Sequence, residues 1–412
     1  MQKTNESFQI LNFISTFAVI MAGLYLHIPF CASRCIYCGF YSTTRADLRQ
    51  KYVDALCREM ELRPATTTPA ASPAGITTVY LGGGTPSQLT EAQLRQLFIY
   101  INKVYALTSH LSPLTSDIEV TIEVNPDDVT PRYAALLRQL GVNRVSMGAQ
   151  TFDDRRLRFL RRRHTAAQVR QAVADLRQAG IPNLSVDLMY GFPGESLADL
   201  DRDLTALLAL DVDHISAYCL MVEEGTPLHR MGIAPCDEEL ERQMYYHIAD
   251  RLTHAGYEHY EISNFARPGR RSRHNSSYWH DVPYLGLGAA AHSYQPPSTT
   301  PGVFPPGYSP AVRSWNVADL RAYIAAVNQG RLPADRELLD ADTHYNDRVA
   351  TALRTSDGLD LRTLAPRHRR YCTEEARRFL SDGLLTLDGD RLRLSRRGLF
   401  VSDMVMAGLM LV

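Results

Sequence analysis

From residue 22 onward, short apolar runs rich in β-branched residues alternate with longer segments whose apolar positions recur at helical spacing. The runs are "GLYLHI" (23–28), "TTVYLG" (77–82), "IEVTIEV" (118–124), "NRVSMGA" (143–149), "LSVDLMY" (184–190) and "DHISAYC" (213–219). Between them lie "ADLRQKYVDALCREMEL" (46–62), "TEAQLRQLFIYINKVY" (90–105) and "TAAQVRQAVADLRQAG" (165–180). The runs read as near-continuously apolar, the pattern of strands covered on both faces, so a parallel sheet wrapped by helices is expected. Six strand–helix units are fewer than the eight of a closed barrel. The expected fold is α/β, a partial (β/α)6 TIM-like barrel.

Two stretches break the pattern. "PATTTPAASPAG" (64–75) reads as a mobile insertion before the second strand. "QPPSTTPGVFPPGYSP" (295–310), with six prolines, reads as the boundary between the barrel and an appended unit. Helical spacing resumes near 317, and "GLLTLDGDRLRLS" (383–395) reads as a hairpin turning at Asp388-Gly389 before a final apolar helix. Helices followed by a hairpin point to an α+β, winged-helix-like module. The expected division is therefore 1–21, 22–295 and 296–412. The first part, "FQILNFISTFAVIMA" (8–22) included, is too short and interrupted for a membrane span and lacks the basic flank of a secretory signal. It reads as an extension ahead of a start at Met21.

Composition narrows the class. The 412 residues carry 44 Lys+Arg against 45 Asp+Glu, a net charge of −1, which does not fit a chain that coats nucleic acid or an anionic membrane. The basic run "RHRR" (367–370) fits a solvated face better than a DNA-binding one, because no aromatic residues interleave it. Seven cysteines, an odd number and partly clustered, do not resemble a secreted disulfide framework; a reducing, cytoplasmic setting is expected.

Three of those cysteines, Cys31, Cys35 and Cys38, fall within "HIPFCASRCIYCGFYS" (27–42). Thiolates are the soft donors that iron–sulfur clusters require. A four-iron cluster held by three cysteines keeps one iron open for a further ligand. Zinc competes for such residues, with His27 as a possible fourth donor, but structural zinc sites usually take two separated pairs. Polar residues also close successive strands: "LGGGTPS" (81–87), Glu123, Gln150 and Asp187. Strand ends of this kind gather on one rim, where barrel active sites lie. Taken singly, each acid fits an N-cap equally well. Cys57, Cys219, Cys236 and Cys372 are scattered and read as inert buried thiols.

C-x3-C-x2-C with Tyr37 before the third cysteine resembles the radical S-adenosylmethionine (SAM) superfamily. That resemblance implies a [4Fe–4S] cluster and SAM, cleaved reductively to methionine and a 5′-deoxyadenosyl radical. "GLYLHIPFC", "GGGTPS", "DLMYGFPGES", "HISAYCLMVEEGTPL", "YEISNFARPG", "HNSSYW" and "YLGLGAAAHSY" are similar to the oxygen-independent coproporphyrinogen oxidase-like family, and within it most to the HemW-type haem chaperones. The resemblance implies cluster ligation by Cys31, Cys35 and Cys38, and SAM contacts at Tyr25, Gly83, Gly84, Thr85, Glu123, Gln150, Arg162 and Asp187.

True oxidases of that family have a fourth cysteine where this chain has Phe40, and an N-terminal arm ahead of the cluster. Both departures imply a chaperone that binds haem and passes it to apo-haemoproteins, rather than an oxidase that decarboxylates coproporphyrinogen III to protoporphyrinogen IX. Phe40 could equally be buried for packing alone. His274 and Trp279, in "HNSSYW", are candidates for haem ligation and stacking, although a lone His in such a turn is commonly structural. An external electron donor and a membrane-associated recipient are further expected partners, and no nucleic acid. A haem carrier with a purely structural cluster, and a radical enzyme acting on nucleic acid, are the readings from other classes.

Overall fold

The computed structural model describes residues 22–64, 76–105, 107, 118–297 and 310–412. The extension expected at 1–21, nearly all of the insertion at 64–75 and most of the Pro-rich stretch at 295–310 lie outside the described residues.

Six parallel strands form where the apolar runs stand: β1 (Ala22–Ile28), β2 (Ile76–Gly83), β3 (Glu119–Val124), β4 (Arg144–Gln150), β5 (Asn183–Tyr190) and β6 (His214–Cys219). Helices Arg49–Leu62, Glu91–Tyr105, Pro131–Gln139, Ala166–Gln178 and Leu197–Leu208 supply the crossovers. Their starts are written locally. Thr165 and Gln168, and Ser196 and Asp199, form reciprocal capping boxes that satisfy the first free N–H groups.

The strands are not continuously apolar, as the runs had implied. They alternate. Leu24, Leu26, Ile28, Val79, Leu81, Val120, Ile122, Val145, Met147, Val186, Leu188 and Ile215 are at most 1% exposed and face the helices. Every second residue between them faces the barrel interior instead. The parallel register aligns those interior positions in rows: Tyr25, Tyr80, Thr121 and Arg144 in one, Glu123, Ser146, Ser185 and His214 in the next, then Gly148, Asp187 and Ser216. The apolar core therefore lies outside the sheet, and the interior is polar.

Six strands do not end the sheet. β7 (Glu258–Glu261) and β8 (Asn264–Ala266) extend it antiparallel beyond β6. On the other side β9 (Tyr284–Leu287) lies parallel to β1, followed by β10 (His292–Gln295), β11 (Ala311–Asn316) and β12 (Ala334–Leu339). The sheet thus has twelve strands and runs to Leu339, past the boundary expected at 296. Residues 311–339 join it through the β10–β11 and β11–β12 ladders and are tied to the first helix by one buried acid. Glu59, fully buried on the first helix, accepts hydrogen bonds from Gly288 N (2.8 Å), Asn316 Nδ2 (2.8 Å) and the Tyr323 hydroxyl (2.6 Å), and pairs with Arg63 (3.3 Å).

A second core, from Tyr345 to Leu409, holds the C-terminal unit. There β14 (Leu385–Asp388) and β15 (Arg391–Leu394) form the expected hairpin, joined by β13 (Leu359–Asp360) in the order β13-β15-β14. The turn residues are Gly389-Asp390, one later than expected, with Gly389 at φ 57°. Helices Ala341–Ala352 and Pro366–Ser381 precede the hairpin. The basic run at 367–370 is engaged within this unit: Arg367 and His368 both meet Asp342, and Arg369 meets Asp390 at 2.6 Å.

Removing the Glu59 carboxylate would take the counter-ion from the partly buried Arg63 guanidinium and an acceptor from three buried donors. Glu59→Ala is expected to destabilise the protein by roughly 3–5 kcal/mol in urea unfolding. Glu61→Ala, two residues away on the exposed face beside Lys103, is expected to leave the unfolding midpoint nearly unchanged. Equal effects would remove Glu59 from its place as the tie between the first helix and residues 288–323.

Candidate functional site

The polar strand ends and the loop after β1 enclose one cavity of about 600 Å³. Its lining includes Cys31, Cys35 and Cys38, all half-buried, together with Gly83, Gly84, Thr85, Glu123, Gln150, Arg162 and Asp187. Residues scattered over more than 150 positions of sequence are thus brought to one rim.

The cysteine loop has no helix or strand of its own and is held from outside. Cys31 N donates to Thr43 O (2.9 Å) and Thr43 N to Pro29 O (2.7 Å), closing the loop at its base. Ile36, 1% exposed and directly after Cys35, sits in a small separate core with Leu160, Met189, Phe192, Leu220 and Leu228. Its backbone is tied on both sides, Ile36 N to Leu160 O (3.4 Å) and Leu228 N to Ile36 O (2.9 Å).

Among the donors that reach the sulfurs are Thr85 Oγ1 to Cys31 (3.4 Å) and Arg162 Nη1 to Cys35 (3.5 Å). Burial pushes the Cys31 and Cys38 thiols up, and the neighbouring Cys35 adds to the rise at both. Such a site disfavours bare thiolates and favours them once a cation shares it. Among the described residues, no three His, Cys, Asp or Glu side chains converge on a single ion position, which one zinc with bonds of about 2.0–2.3 Å would require. His27 is also turned away. Its Nδ1 accepts from the Tyr25 hydroxyl (2.9 Å), its Nε2 donates to Tyr41 O (3.1 Å), and burial lowers its pKa to about 4.

Beside the thiols, β2 ends in a glycine turn. Gly83 adopts φ 103°, and a Cβ on Gly84 would meet Ile28 O and the Pro29 backbone, so β1 and β2 approach closely only without side chains there. Glu123 accepts from Gly83 N (3.0 Å) and the Tyr80 hydroxyl (2.8 Å). Burial raises its pKa to about 7, and Asp187 adds to the rise. Asp187 itself is raised to about 6 by burial, opposed by hydrogen bonds from Ser216 and by Arg144.

Arg162 enters the cavity, with Nη2 donating to Gly148 O (2.6 Å) and Asn125 Oδ1 (2.8 Å), while its Nε has no partner. The adjacent Arg163 turns outward to Asp127 and Asp128 (2.8 Å each). Gln150 sits at φ 68°, costly for a residue with a side chain, at a bulge where β4 meets β5.

Three expected site residues lie elsewhere. Tyr25 is absent from the lining; it packs one layer below, against the Tyr80 and His274 rings. His274 is 1% exposed, with Nδ1 bonded to Thr78 Oγ1 (2.8 Å), Nε2 to the Tyr278 hydroxyl (2.8 Å) and its ring stacked on Tyr80. Both nitrogens are occupied, so this conformation does not offer His274 as a haem ligand. Trp279 faces the C-terminal unit, under the Arg354 guanidinium at 5.0 Å. From the same "HNSSYW" stretch it is Asn275 that reaches the cavity.

Other findings were not anticipated. Arg144, 2% exposed, and Ser146 line the cavity floor; the alternation along β4 was the signal that marked them. Phe40 is not packing: it stands 70% exposed at the cavity mouth. Cys219 and Cys236 are not isolated buried thiols either. Both are half-buried against Gly191, and Cys219 lines the cavity.

Residues 25–207 match the Radical SAM superfamily, and residues 339–401 match the HemN C-terminal domain. The chain is 36% identical over 397 residues to "Heme chaperone HemW" of Mycobacterium tuberculosis (strain H37Rv), covering 94% of each. It is 32% identical to "Heme chaperone HemW" of Bacillus subtilis (strain 168), over 85% of this chain and 88% of that one. "Radical S-adenosyl methionine domain-containing protein 1, mitochondrial" of Bos taurus is 32% identical over 94% of this chain and 87% of its own. Among solved structures, coproporphyrinogen III oxidase (HemN) from Escherichia coli superposes with a TM-score of 0.76 over 95% of this chain and 90% of its own, at 21% identity. That likeness carries the fold.

The two raised carboxyls give a pH signature. Each holds its proton in the folded, ligand-free protein where the unfolded chain has already released it. Stability therefore falls as pH rises from 4.5 to about 7 for Glu123, and from 3.8 to about 6 for Asp187, and stays lower above. The thermal midpoint of Glu123→Gln is expected to decline less than that of the parent across this window. A parent midpoint that climbs through the window would show both acids ionised and paired instead.

Proposed function

The chain belongs to the HemW family of the radical SAM superfamily, and from that premise we propose that it binds haem and hands it to apo-haemoproteins. The full-length match carries the reading: relatives called haem chaperones align at 36% identity over 94% of the chain, whereas the oxidase shares its fold at 21%. Family membership implies a [4Fe–4S] cluster and SAM. The residues present fit both. Three thiols face one cavity, as a multi-iron cluster held by three cysteines requires.

In this reading Cys31, Cys35 and Cys38 hold the cluster, and Thr85 and Arg162 donate to two of the sulfurs, stabilising the thiolates and tuning them. Glu123 and the Gly83-Gly84 backbone receive the ammonium of SAM, whose positive charge draws the proton off the raised carboxyl. The unpaired Nε of Arg162 meets the SAM carboxylate. Gln150 and Asp187 border the remainder of the ligand. Tyr25 supports the site indirectly, through His27 and Tyr80. Together, bound cluster and SAM supply reductive cleavage of the sulfonium. The electron donor and the haem recipients, a membrane-bound one among them, are separate proteins. No helix among the described residues is long and apolar enough to cross a membrane.

Anaerobic reconstitution tests the assignment. Cys31→Ser, Cys35→Ser and Cys38→Ser each exchange a soft donor for a hard, poorly ionised hydroxyl and are expected to abolish cluster assembly. Cys219→Ser, in the same cavity, is expected to keep the full iron content; equal losses would remove the ligand assignment. The reduced, cluster-loaded protein with SAM is expected to bind haem, transfer it to an apo-haemoprotein and leave coproporphyrinogen III unchanged. Turnover to protoporphyrinogen IX would identify an oxidase.

A further inference from the structure

Four cysteines stand outside the cluster assignment, and two of them are neighbours in space. Cys219 closes β6 and Cys236 precedes the helix Glu238–His254, yet both half-buried thiols meet over one residue. A Cβ on Gly191 would stand 2.8 Å from the Cys219 sulfur, 3.4 Å from the Cys236 Cβ and 3.8 Å from the Cys236 sulfur. Gly191 sits at φ 77°, a left-handed backbone that suits glycine, so no side chain parts the two thiols. Cys57 and Cys372, by contrast, are buried in separate cores.

The 18 residues from Cys219 to Cys236 are the segment that frames the cysteine loop. Leu220, Val222, Leu228 and Ile233 pack into the small core that receives Ile36. Leu228 N donates to Ile36 O (2.9 Å), and the Glu223 carboxylate lies directly over Gly39. The near end of this segment is secured, with Leu220 N donating to Tyr190 O at 2.8 Å. The far end is not. Residues 233–236 form neither helix nor strand and, among the described residues, make no backbone hydrogen bond. A bond between the two cysteines would fasten that loose end to the fixed one.

We infer that Cys219 and Cys236 are an oxidation site, whose reversible disulfide closes this segment into a ring and staples the frame of the cysteine loop. The oxidant is a peroxide. The thiolate of Cys236, the less buried of the two, attacks the O–O bond and becomes a sulfenic acid, releasing hydroxide. The Cys219 sulfur then displaces the sulfenic oxygen, its own proton passing to the adjacent Glu241 carboxylate and on to water. Two thiols and one hydrogen peroxide become one disulfide and two waters. Closing the ring removes conformations open to the unfastened segment, so the frame outlasts an oxidative loss of iron. That role rests on the assignment of Cys31, Cys35 and Cys38 to the cluster; the bond itself does not.

The pair is slow to react at neutral pH. Burial pushes the Cys219 thiol up and Glu241 adds to the rise, and the same two causes raise Cys236. Since the thiolate is the attacking form, closure quickens as pH climbs.

The thiol oxidant diamide, applied anaerobically to the full-length, cluster-loaded protein, tests this. Thiol blocking, digestion and mass spectrometry are expected to find Cys219 joined to Cys236, and dithiothreitol to release them. The bridge is expected to form at least tenfold faster at about pH 9 than at about pH 7. The oxidised parent is expected to unfold a few degrees higher than the reduced parent, and Cys236→Ser to show no such rise. Recovery of both thiols unlinked, or of Cys219 joined to Cys31, Cys35 or Cys38, would overturn the site. A Cys219–Cys236 bridge that leaves the midpoint where it was would overturn its role as a staple. A parent that assembles no cluster would instead sink the ligand assignment, and the same mapping would still decide the bridge.

Discussion

A β-strand has two faces, and in this protein they do opposite jobs. Each of the six parallel strands sends alternate residues to the helix layer and to the barrel interior. The outward set forms a dry core. The inward set is polar and, because parallel pairing keeps the register, falls into level rows around the interior. A one-residue slip in any strand would bury its polar row against the helices and expose its core row to the cavity. The fold and the site are therefore specified by the same pairing, and neither is adjustable without the other.

The cysteine loop is the exception, since no ladder fixes it. Its place comes from Ile36, driven into a small core assembled from the ends of β5 and the loops after β4 and β6. Arg162 joins that loop to the strands, bonding Cys35, Asn125 and the Gly148 carbonyl at once. A cation held here offsets the charge of three thiolates, which burial alone opposes. The buried acids nearby face the reverse situation. Glu123 and Asp187 sit together in one pocket and are raised, and a positively charged ligand is what relieves them.

How far the sequence could be read follows from these facts. The six strands stood out because β-branched and aliphatic residues are dense in them, and each bound fell within one residue of the structure. Reading the runs as uniformly apolar, however, hid Arg144, Ser146 and Ser216, whose alternation with Val145, Met147 and Ile215 was plainly visible. β12 had no apolar signal to offer, since "ADRELL" is exposed along most of its length. The sheet consequently ran on past the proline-rich stretch taken as its end. His274 misled for another reason: the residues around it reveal its chemistry but not that Thr78, in a distant strand, would occupy its ring nitrogen. Partners separated by two hundred residues are invisible to local pattern.

The pairing of β9 with β1 places Gly23 beside Tyr284 and Leu26 beside Leu287. A ribosome delivers the first of each pair long before the second. Until residues beyond 287 emerge, β1 has only β2 as a neighbour, and Glu59 still waits for Asn316 and Tyr323. Contacts of such long sequence separation are slow to form, because the loop they close must be ordered first. The cysteine loop hangs directly from the end of β1. It is synthesised ahead of the segments that frame it, so in a growing chain its three thiols wait for the later strands and loops to be made.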